Sequence, residues 1–173
     1  GINVAFGKYF GILNSNDVYY PNAFVYLLDY IKKFEEYDFI LGAVEKEKVH
    51  AGFRPKEINL RFNIYPSSSI GFFIKLDAQK KIGLYNIKYK CSSDYDMFYK
   101  LIKKYNFQGV ATKHNEVFGK FEKGGFSSKL GFFDHLFEEI QIRFDNGQNI
   151  FILIYIFLGR CIIKLLSKLK IIK

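Results

Sequence analysis

The segment that decides the fold is Lys8-Tyr-Phe-Gly-Ile-Leu13, which runs directly into the polar cluster Asn14-Ser-Asn-Asp17. The apolar run predicts a buried strand, and the cluster predicts a loop at the carboxyl end of that strand. After Pro21, apolar residues recur at helical spacing to about Tyr37, which predicts an amphipathic helix. Ligands of sheets flanked by helices bind beyond the carboxyl ends of strands, so this loop is a candidate site.

The rest of the chain repeats the alternation of strand and helix. Further strands are predicted at Phe39 to Val44, Ser69 to Leu76, Phe107 to Thr112 and Glu116 to Phe121, and further helices start at Ser92-Ser93-Asp94 and at about Ser128. Such an order predicts an α/β domain with a mixed sheet over residues 1–146.

Composition bounds the class of protein. The 173 residues are 49% hydrophobic, which is enough to bury a core and excludes intrinsic disorder. The two cysteines, Cys91 and Cys161, cannot form a disulfide scaffold or a four-ligand zinc site, so a reducing compartment is expected.

The basic charge is concentrated in the tail. Of the net charge of +9, residues 160–173 contribute +5 because they hold five basic residues and no acid, and the other 159 residues contribute +4. This distribution favours an anionic membrane surface as the partner. A nucleic-acid binder is the weakest alternative, because no nucleic-acid-binding motif accompanies the charge.

The tail, residues 147–173, has the pattern of a membrane-associating helix. Ile150 to Leu158 is an apolar run shorter than the roughly 20 residues that a membrane span needs. Arg160, Lys164 and Lys168 follow at intervals that place them on one helical face. We expect a basic amphipathic helix that lies in the membrane interface with its lysines toward anionic headgroups. The alternative is a terminal helix packed on the domain, with its lysines in solvent.

Three segments contain side chains suited to chemistry. Asp17 in the first loop offers a carboxylate for a hard divalent cation, although such clusters are also common in ordinary turns. Ser93-Asp94-Tyr-Asp96 places carboxylates at a helix start, where one can act as a general base or simply as a cap. Gly124 and Gly125 would let backbone N–H groups approach a phosphate, or they form a plain loop.

In combination these segments resemble the family 2 glycosyltransferases, which are GT-A fold enzymes that build bacterial surface polysaccharides. The resemblance spans about residues 1–127. Its matching stretches are Gly7 to Asp17 with Tyr20-Pro21 ("GxYIGFLNSDDxxxP"), Tyr65 to Ile70 ("HPSxF", with tyrosine for histidine), Ile82 to Ile102 ("xGxFDxxYxxxxDYDLxLRL") and Phe121 to Ser127 ("FxxGGxS").

The resemblance implies the C-terminal portion of a GT-A (Rossmann-like) domain. The family's "SVIIPTYN"-like segment, which binds the nucleotide base and ribose, has no counterpart in the sequence. We therefore expect the chain to hold the acceptor-side part only. The DNA upstream of the codon for Gly1 would contain either a "PTYN"-type segment or the remains of a degenerate gene.

The resemblance also implies site roles. Mg²⁺ or Mn²⁺ would bind at Asp17 and Asn16, where Asn16 replaces a usual carboxylate ligand and binds more weakly. Asp94 would act as the catalytic base, with Asp96 as the second candidate. The loop with Gly124, Gly125 and Ser127 would close near the diphosphate or the acceptor.

The implied function is transfer of a sugar, with inversion, from a nucleotide-diphospho-sugar to a hydroxyl of a saccharide or lipid-linked acceptor. The enzyme would be cytoplasmic and peripheral to the inner face of the plasma membrane. The alternative is a catalytically inactive remnant, or a module that only binds membranes.

Overall fold

The computed structural model describes residues 1–66, 68–122 and 130–169. Within these residues the chain forms short strands and five α-helices. The strands are β1 (Tyr9–Gly11), β2 (Val18–Tyr19), β3 (Phe39–Leu41), β4 (Ala43–Glu45), β5 (Val49–His50), β6 (Phe72–Lys75), β7 (Gly109–Ala111) and β8 (Val117–Lys120). The helices are α1 (Ala23–Lys33), α2 (Leu76–Ile82), α3 (Ser93–Tyr99), α4 (Phe132–Asp145) and α5 (Ile150–Lys168). The predicted α/β class with mixed pairing is confirmed.

The strands form two four-stranded sheets, with the orders β1-β6-β3-β7 and β2-β8-β4-β5. In the first sheet β6 pairs antiparallel with β1 and with β3, and β3 pairs parallel with β7. In the second sheet β4 pairs parallel with β8, and the outer pairs are antiparallel. Both sheets are therefore mixed, whereas the sequence predicted one sheet.

β3 is buried on both faces and divides the core. Phe39 and Leu41 belong to a cluster that includes residues of α3, whereas Ile40 belongs to a second cluster with Ala23 and Leu27 of α1. Because alternate side chains of a strand point to opposite faces, one short apolar strand supplies both clusters. The first sheet is thus packed between α1 and α3. The packing of these two helices holds in place the loops that precede them.

The predicted strand from Phe39 to Val44 is in fact two strands that belong to different sheets. Gly42 lies between them, and its backbone N–H donates to the carbonyl of Gly71 at 2.7 Å. A Cβ atom at Gly42 would lie 2.3 Å from the buried ring of Phe118. The chain can change sheets here because glycine leaves room for that ring.

We predict that Gly42→Ala destabilises the protein by about 1–3 kcal/mol, because the added methyl group overpacks the core against Phe118. Gly159→Ala is the matched control. Gly159 lies within α5, and nothing lies within 4 Å of its Cβ position. This control should be neutral or stabilising by up to about 1 kcal/mol. Urea unfolding of both variants checks the prediction, and equal stabilities would contradict it.

The orientation of α5 differs from the expectation. Arg160 donates to the buried carboxylate of Glu139 on α4 at 3.1 Å, and the Lys164 ammonium lies 5.2 Å from the ring centroid of Phe132. Two residues of the predicted headgroup-facing stripe thus face α4. The buried Glu139 needs cationic partners, and it draws the basic face of α5 inward.

The apolar face of α5 is consequently turned outward. Its exposed large side chains are Ile150, Phe151, Ile154, Tyr155, Leu158, Ile162, Ile163 and Leu165. Among the described residues, α5 is also the single helix that is long and apolar enough to cross a membrane by length and composition. From the sequence, the apolar run from Ile150 to Leu158 is too short to span a membrane. The helix that contains this run is longer, with 19 residues.

Candidate functional site

Two of the three segments singled out in the sequence, and the residues just before the third, line one cavity of about 490 Å³. Asn16 and Asp17 come from the loop after β1, Asp94 comes from the first turn of α3, and Phe121 and Glu122 follow β8. Residues far apart in the chain therefore meet at the end of the first sheet. This is the end of β1 at which the sequence predicted a ligand site.

Asp17 ties two of these segments together. Its amide N–H donates to the carbonyl of Asn14 at 3.1 Å, which closes the loop as a tight turn. Its buried carboxylate accepts hydrogen bonds from the Asn14 side chain and from the Glu122 backbone N–H, each at 3.3 Å. The Asn14 side chain also donates to the hydroxyl of Ser69 at 2.8 Å. Asn16 is exposed beside this network.

Asp94 is largely enclosed where it lines the cavity. Burial raises the pKa of its carboxyl group, and hydrogen bonds from the backbone N–H groups of Tyr95 and Asp94 and the charge of Lys46 act in the opposite direction. The bond from the Tyr95 N–H to the carboxylate is 2.8 Å long. A carboxylate with a raised pKa binds a proton more strongly than an ordinary one, which suits a general base.

Lys46 supplies positive charge close to both carboxylates. It follows β4, and its ammonium group lies 5.1 Å from the ring centroid of Phe121. Burial lowers the pKa of Lys46, and the negative charges of Asp94 and Asp17 oppose that shift. The candidate site therefore combines two carboxylates with a partly buried cation.

Asp96 does not share the cavity with Asp94. Its carboxylate is buried, and it accepts hydrogen bonds from the Lys100 ammonium at 2.6 Å and from the Asn146 amide at 2.9 Å. Residues two apart on an α-helix lie about 200° apart around its axis, so the carboxylates of Asp94 and Asp96 point to opposite faces of α3. Asp96 joins α3 to the end of α4, and Asp94 alone of the pair lines the cavity.

The predicted glycine loop lies outside the described residues. Gly124, Gly125 and Ser127 belong to the stretch 123–129. Glu122, the last described residue before this stretch, lies on the cavity wall. Their phosphate-binding role stays a prediction.

Cys91 lines the cavity and was not singled out from the sequence as a site residue. Its thiol donates to the Glu138 carboxylate at 3.0 Å, and the same carboxylate accepts from the backbone N–H groups of Lys90 and Cys91. Burial and the hydrogen bond to Glu138 raise the pKa of Cys91 to about 11. The thiol therefore stays protonated and anchors the segment before α3 to α4, which excludes it as a thiolate nucleophile.

The metal-ligand set of the described residues is small. Over 1–66, 68–122 and 130–169 no group of three or more histidine, cysteine, aspartate or glutamate side chains is placed to share an ion. Asp17 and Asn16 nevertheless line the cavity with oxygen ligands. Mg²⁺ is commonly held by one or two carboxylates together with substrate phosphates and water. The donor set therefore fits an ion that binds with a phosphorylated ligand.

Comparison with family models and with curated protein sequences identifies no relative. No family model matches the chain, and no curated protein sequence matches it. The α/β class and the residues around the cavity are thus the basis for any functional proposal.

Proposed function

We propose that this chain forms the acceptor-side part of an inverting GT-A glycosyltransferase that uses a nucleotide-diphospho-sugar donor. The observation that supports it is the meeting of Asn16, Asp17 and Asp94 at one cavity. These are the positions to which the resemblance assigns the metal ligands and the base. The acceptor is a hydroxyl of a saccharide or of a lipid-linked glycan.

In the proposed reaction Asp94 acts on the acceptor. Its carboxylate accepts the proton of the acceptor hydroxyl while that oxygen forms a bond to the anomeric carbon of the donor sugar. The bond from the anomeric carbon to the diphosphate oxygen breaks, and the diphosphate leaves with the electron pair. Attack from the face opposite the leaving group inverts the anomeric configuration.

Positive charge assists departure of the diphosphate. Lys46, beside Phe121 at the edge of the cavity, adds to the positive potential around the two carboxylates. Asp17 and Asn16 would hold Mg²⁺ or Mn²⁺, and the bound ion would stabilise the negative charge that develops on the leaving group. Asp17 also orients its own loop through the hydrogen bonds from Asn14 and Glu122.

We predict that Asp17→Asn weakens Mn²⁺-dependent binding of a nucleotide-diphospho-sugar by at least about tenfold, because an amide is a poorer cation ligand than a carboxylate. Calorimetry with a panel of UDP- and GDP-linked sugars checks this, first on the 173-residue chain and then on the full-length product of its gene (the extended chain).

Asp29→Asn is the control for that experiment, because Asp29 is exposed on α1 and lies away from the cavity. Thermal melting separates loss of binding from loss of the fold. If the wild-type extended chain binds no nucleotide sugar with Mn²⁺, the alternative of an inactive remnant replaces the enzyme.

A second function, binding of a membrane surface, is supported by α5. We propose that α5 lies in the interface at the cytoplasmic leaflet of the plasma membrane, with its exposed apolar face in the lipid. A core helix of similar composition would be mostly buried, whereas 11% of the most apolar stretch of α5 is buried. With Arg160 and Lys164 turned toward α4, burial of apolar area supplies most of the affinity.

We predict that the double variant Ile154→Glu with Leu158→Glu reduces flotation with phosphatidylglycerol vesicles at least about tenfold. The two side chains are exposed and one turn apart, so their replacement should not disturb the protein core. Insertion of this face would then bury two carboxylates in lipid, which is unfavourable. Ile87→Glu is the control, because Ile87 is 97% exposed outside α5. Equal flotation of all three proteins would contradict insertion of this face.

A further inference from the structure

A second cavity, of about 290 Å³, opens beside the candidate site. It is formed by the β4–β5 turn and the segment that follows β5. Its polar side chains, among the described residues, are those of Lys46, His50, Arg54, Asn63 and Tyr65, and none of the described carboxylates lines it. The wall therefore offers hydrogen-bond donors and cationic groups. The volume is near the lower limit of ligand-binding cavities, which suits a small charged group better than an oligosaccharide.

The two cavities share one wall residue. Tyr65 lines both, and its ring stacks on Phe98 of α3 with the ring centroids 3.8 Å apart. Lys46 lines the second cavity, and it also interacts electrostatically with Asp94 and Asp17 of the first. A molecule whose hydroxyl lies at Asp94 could therefore extend past Tyr65 into the second cavity.

The guanidinium group of Arg54 has more N–H donors than its contacts within the protein use. One of its terminal nitrogens donates to the backbone carbonyl of Asn63 at 2.7 Å. The other lies 3.6 Å from the Oε2 atom of Glu57, and the Nε atom of Arg61 lies 3.4 Å from the same oxygen. Since two arginines share one glutamate, the cluster retains a net positive charge. The guanidinium group is the side chain best suited to bidentate recognition of phosphate.

We propose that this cavity binds a phosphate or diphosphate group of the acceptor. Lys46 and Arg54 carry two positive charges, and His50 adds a third when it is protonated, which matches a phosphate better than a singly charged carboxylate. The acceptor assignment depends on the proposed glycosyltransferase function. The affinity of the cavity for phosphate does not.

The pKa of His50 reports directly on binding of phosphate in this cavity. Burial lowers the pKa of its imidazole, the neighbouring charges of Lys46 and Lys48 lower it further, and Glu47 opposes them. A phosphate in the cavity would favour the protonated ring. We expect added pyrophosphate to raise the pKa of His50 by about 1 in NMR titrations of the 173-residue chain. The other two histidines, His114 and His135, should be unchanged.

Two arginine variants test the contact. Arg54→Gln should weaken pyrophosphate binding about tenfold or more, because a charge-assisted hydrogen bond to the ligand is lost. Arg61→Gln should change it less than about twofold, since Arg61 pairs with the same Glu57 but does not line the cavity. If His50 does not respond to pyrophosphate, or if the two variants weaken binding equally, the proposal is overturned.

Two larger ligands distinguish the source of the phosphate. Farnesyl diphosphate represents a lipid-linked acceptor and uridine diphosphate represents the donor. Arg54→Gln should weaken binding of the first and leave the second unchanged, and the reverse result would overturn the acceptor assignment. If the protein transfers sugar but pyrophosphate does not raise the pKa of His50, the phosphate site is rejected and the glycosyltransferase function is not. A response without transfer, in the extended chain, would reject the glycosyltransferase alone.

Discussion

Arg143→Met is expected to reduce the free energy of unfolding by about 3–5 kcal/mol, because it removes the buried one of the two arginines that neutralise a buried carboxylate. Arg143 is completely buried on α4, and its guanidinium lies 3.2 Å from the carboxylate of Glu139, which is 2% exposed. It also donates to the backbone carbonyl groups of Ile58 and Asn59 at 2.8 and 3.0 Å. These bonds join α4 to the long segment between β5 and β6.

Two further variants make that result specific. Arg61→Met removes a side chain that is 64% exposed and should change stability by less than about 1 kcal/mol. The double variant Arg143→Met with Glu139→Leu should recover part of the loss, because the buried carboxylate that lost one of its two cations is removed as well. Urea unfolding measures all three. A loss below about 1 kcal/mol for Arg143→Met would show that this ion pair does not hold α4 in place.

If the proposed glycosyltransferase function holds, Asp94→Asn is expected to lower the rate of sugar transfer by about 10²–10⁴-fold, because an amide cannot accept the proton of the acceptor. Binding of the donor should change little, since the change is isosteric. The raised pKa of Asp94 also predicts the pH dependence. The rate should fall as the pH drops through that pKa, so the acidic limb lies above the value of about 3.9 for an ordinary aspartate.

The control for this variant is Asp77→Asn. Asp77 lies in the first turn of α2, as Asp94 lies in the first turn of α3, but it is exposed and does not line the cavity. Its replacement should leave the rate within about twofold. Near-normal turnover of Asp94→Asn would remove Asp94 from the role of base and direct attention to another group on the cavity wall.

Local patterns in the sequence predicted much of the fold. Short apolar runs bounded by polar residues located β1, β6, β7 and β8, because a buried strand needs apolar side chains and its ends need turn residues. The same rule placed Asp17 and Asp94 at element ends, and both line the cavity.

Features set by tertiary contacts could not be predicted in this way. Gly42 divides one apolar run between two sheets because Phe118 occupies the space beside it, and that neighbour is distant in sequence. The buried Glu139 reverses the expected orientation of α5 through Arg160. Lys46 lies in a charged, aperiodic stretch, so nothing local distinguished it from a solvated lysine.

The central claim is that the protein transfers a sugar to a hydroxyl group in the cavity lined by Asp17 and Asp94. The direct test incubates the full-length product of the gene with nucleotide-diphospho-sugars, Mn²⁺ and a lipid-linked saccharide acceptor, and follows the anomeric protons by NMR. We predict a new glycoside whose anomeric configuration is inverted relative to the donor. A folded protein that leaves every donor unconsumed, or a product that retains the donor configuration, would contradict the claim.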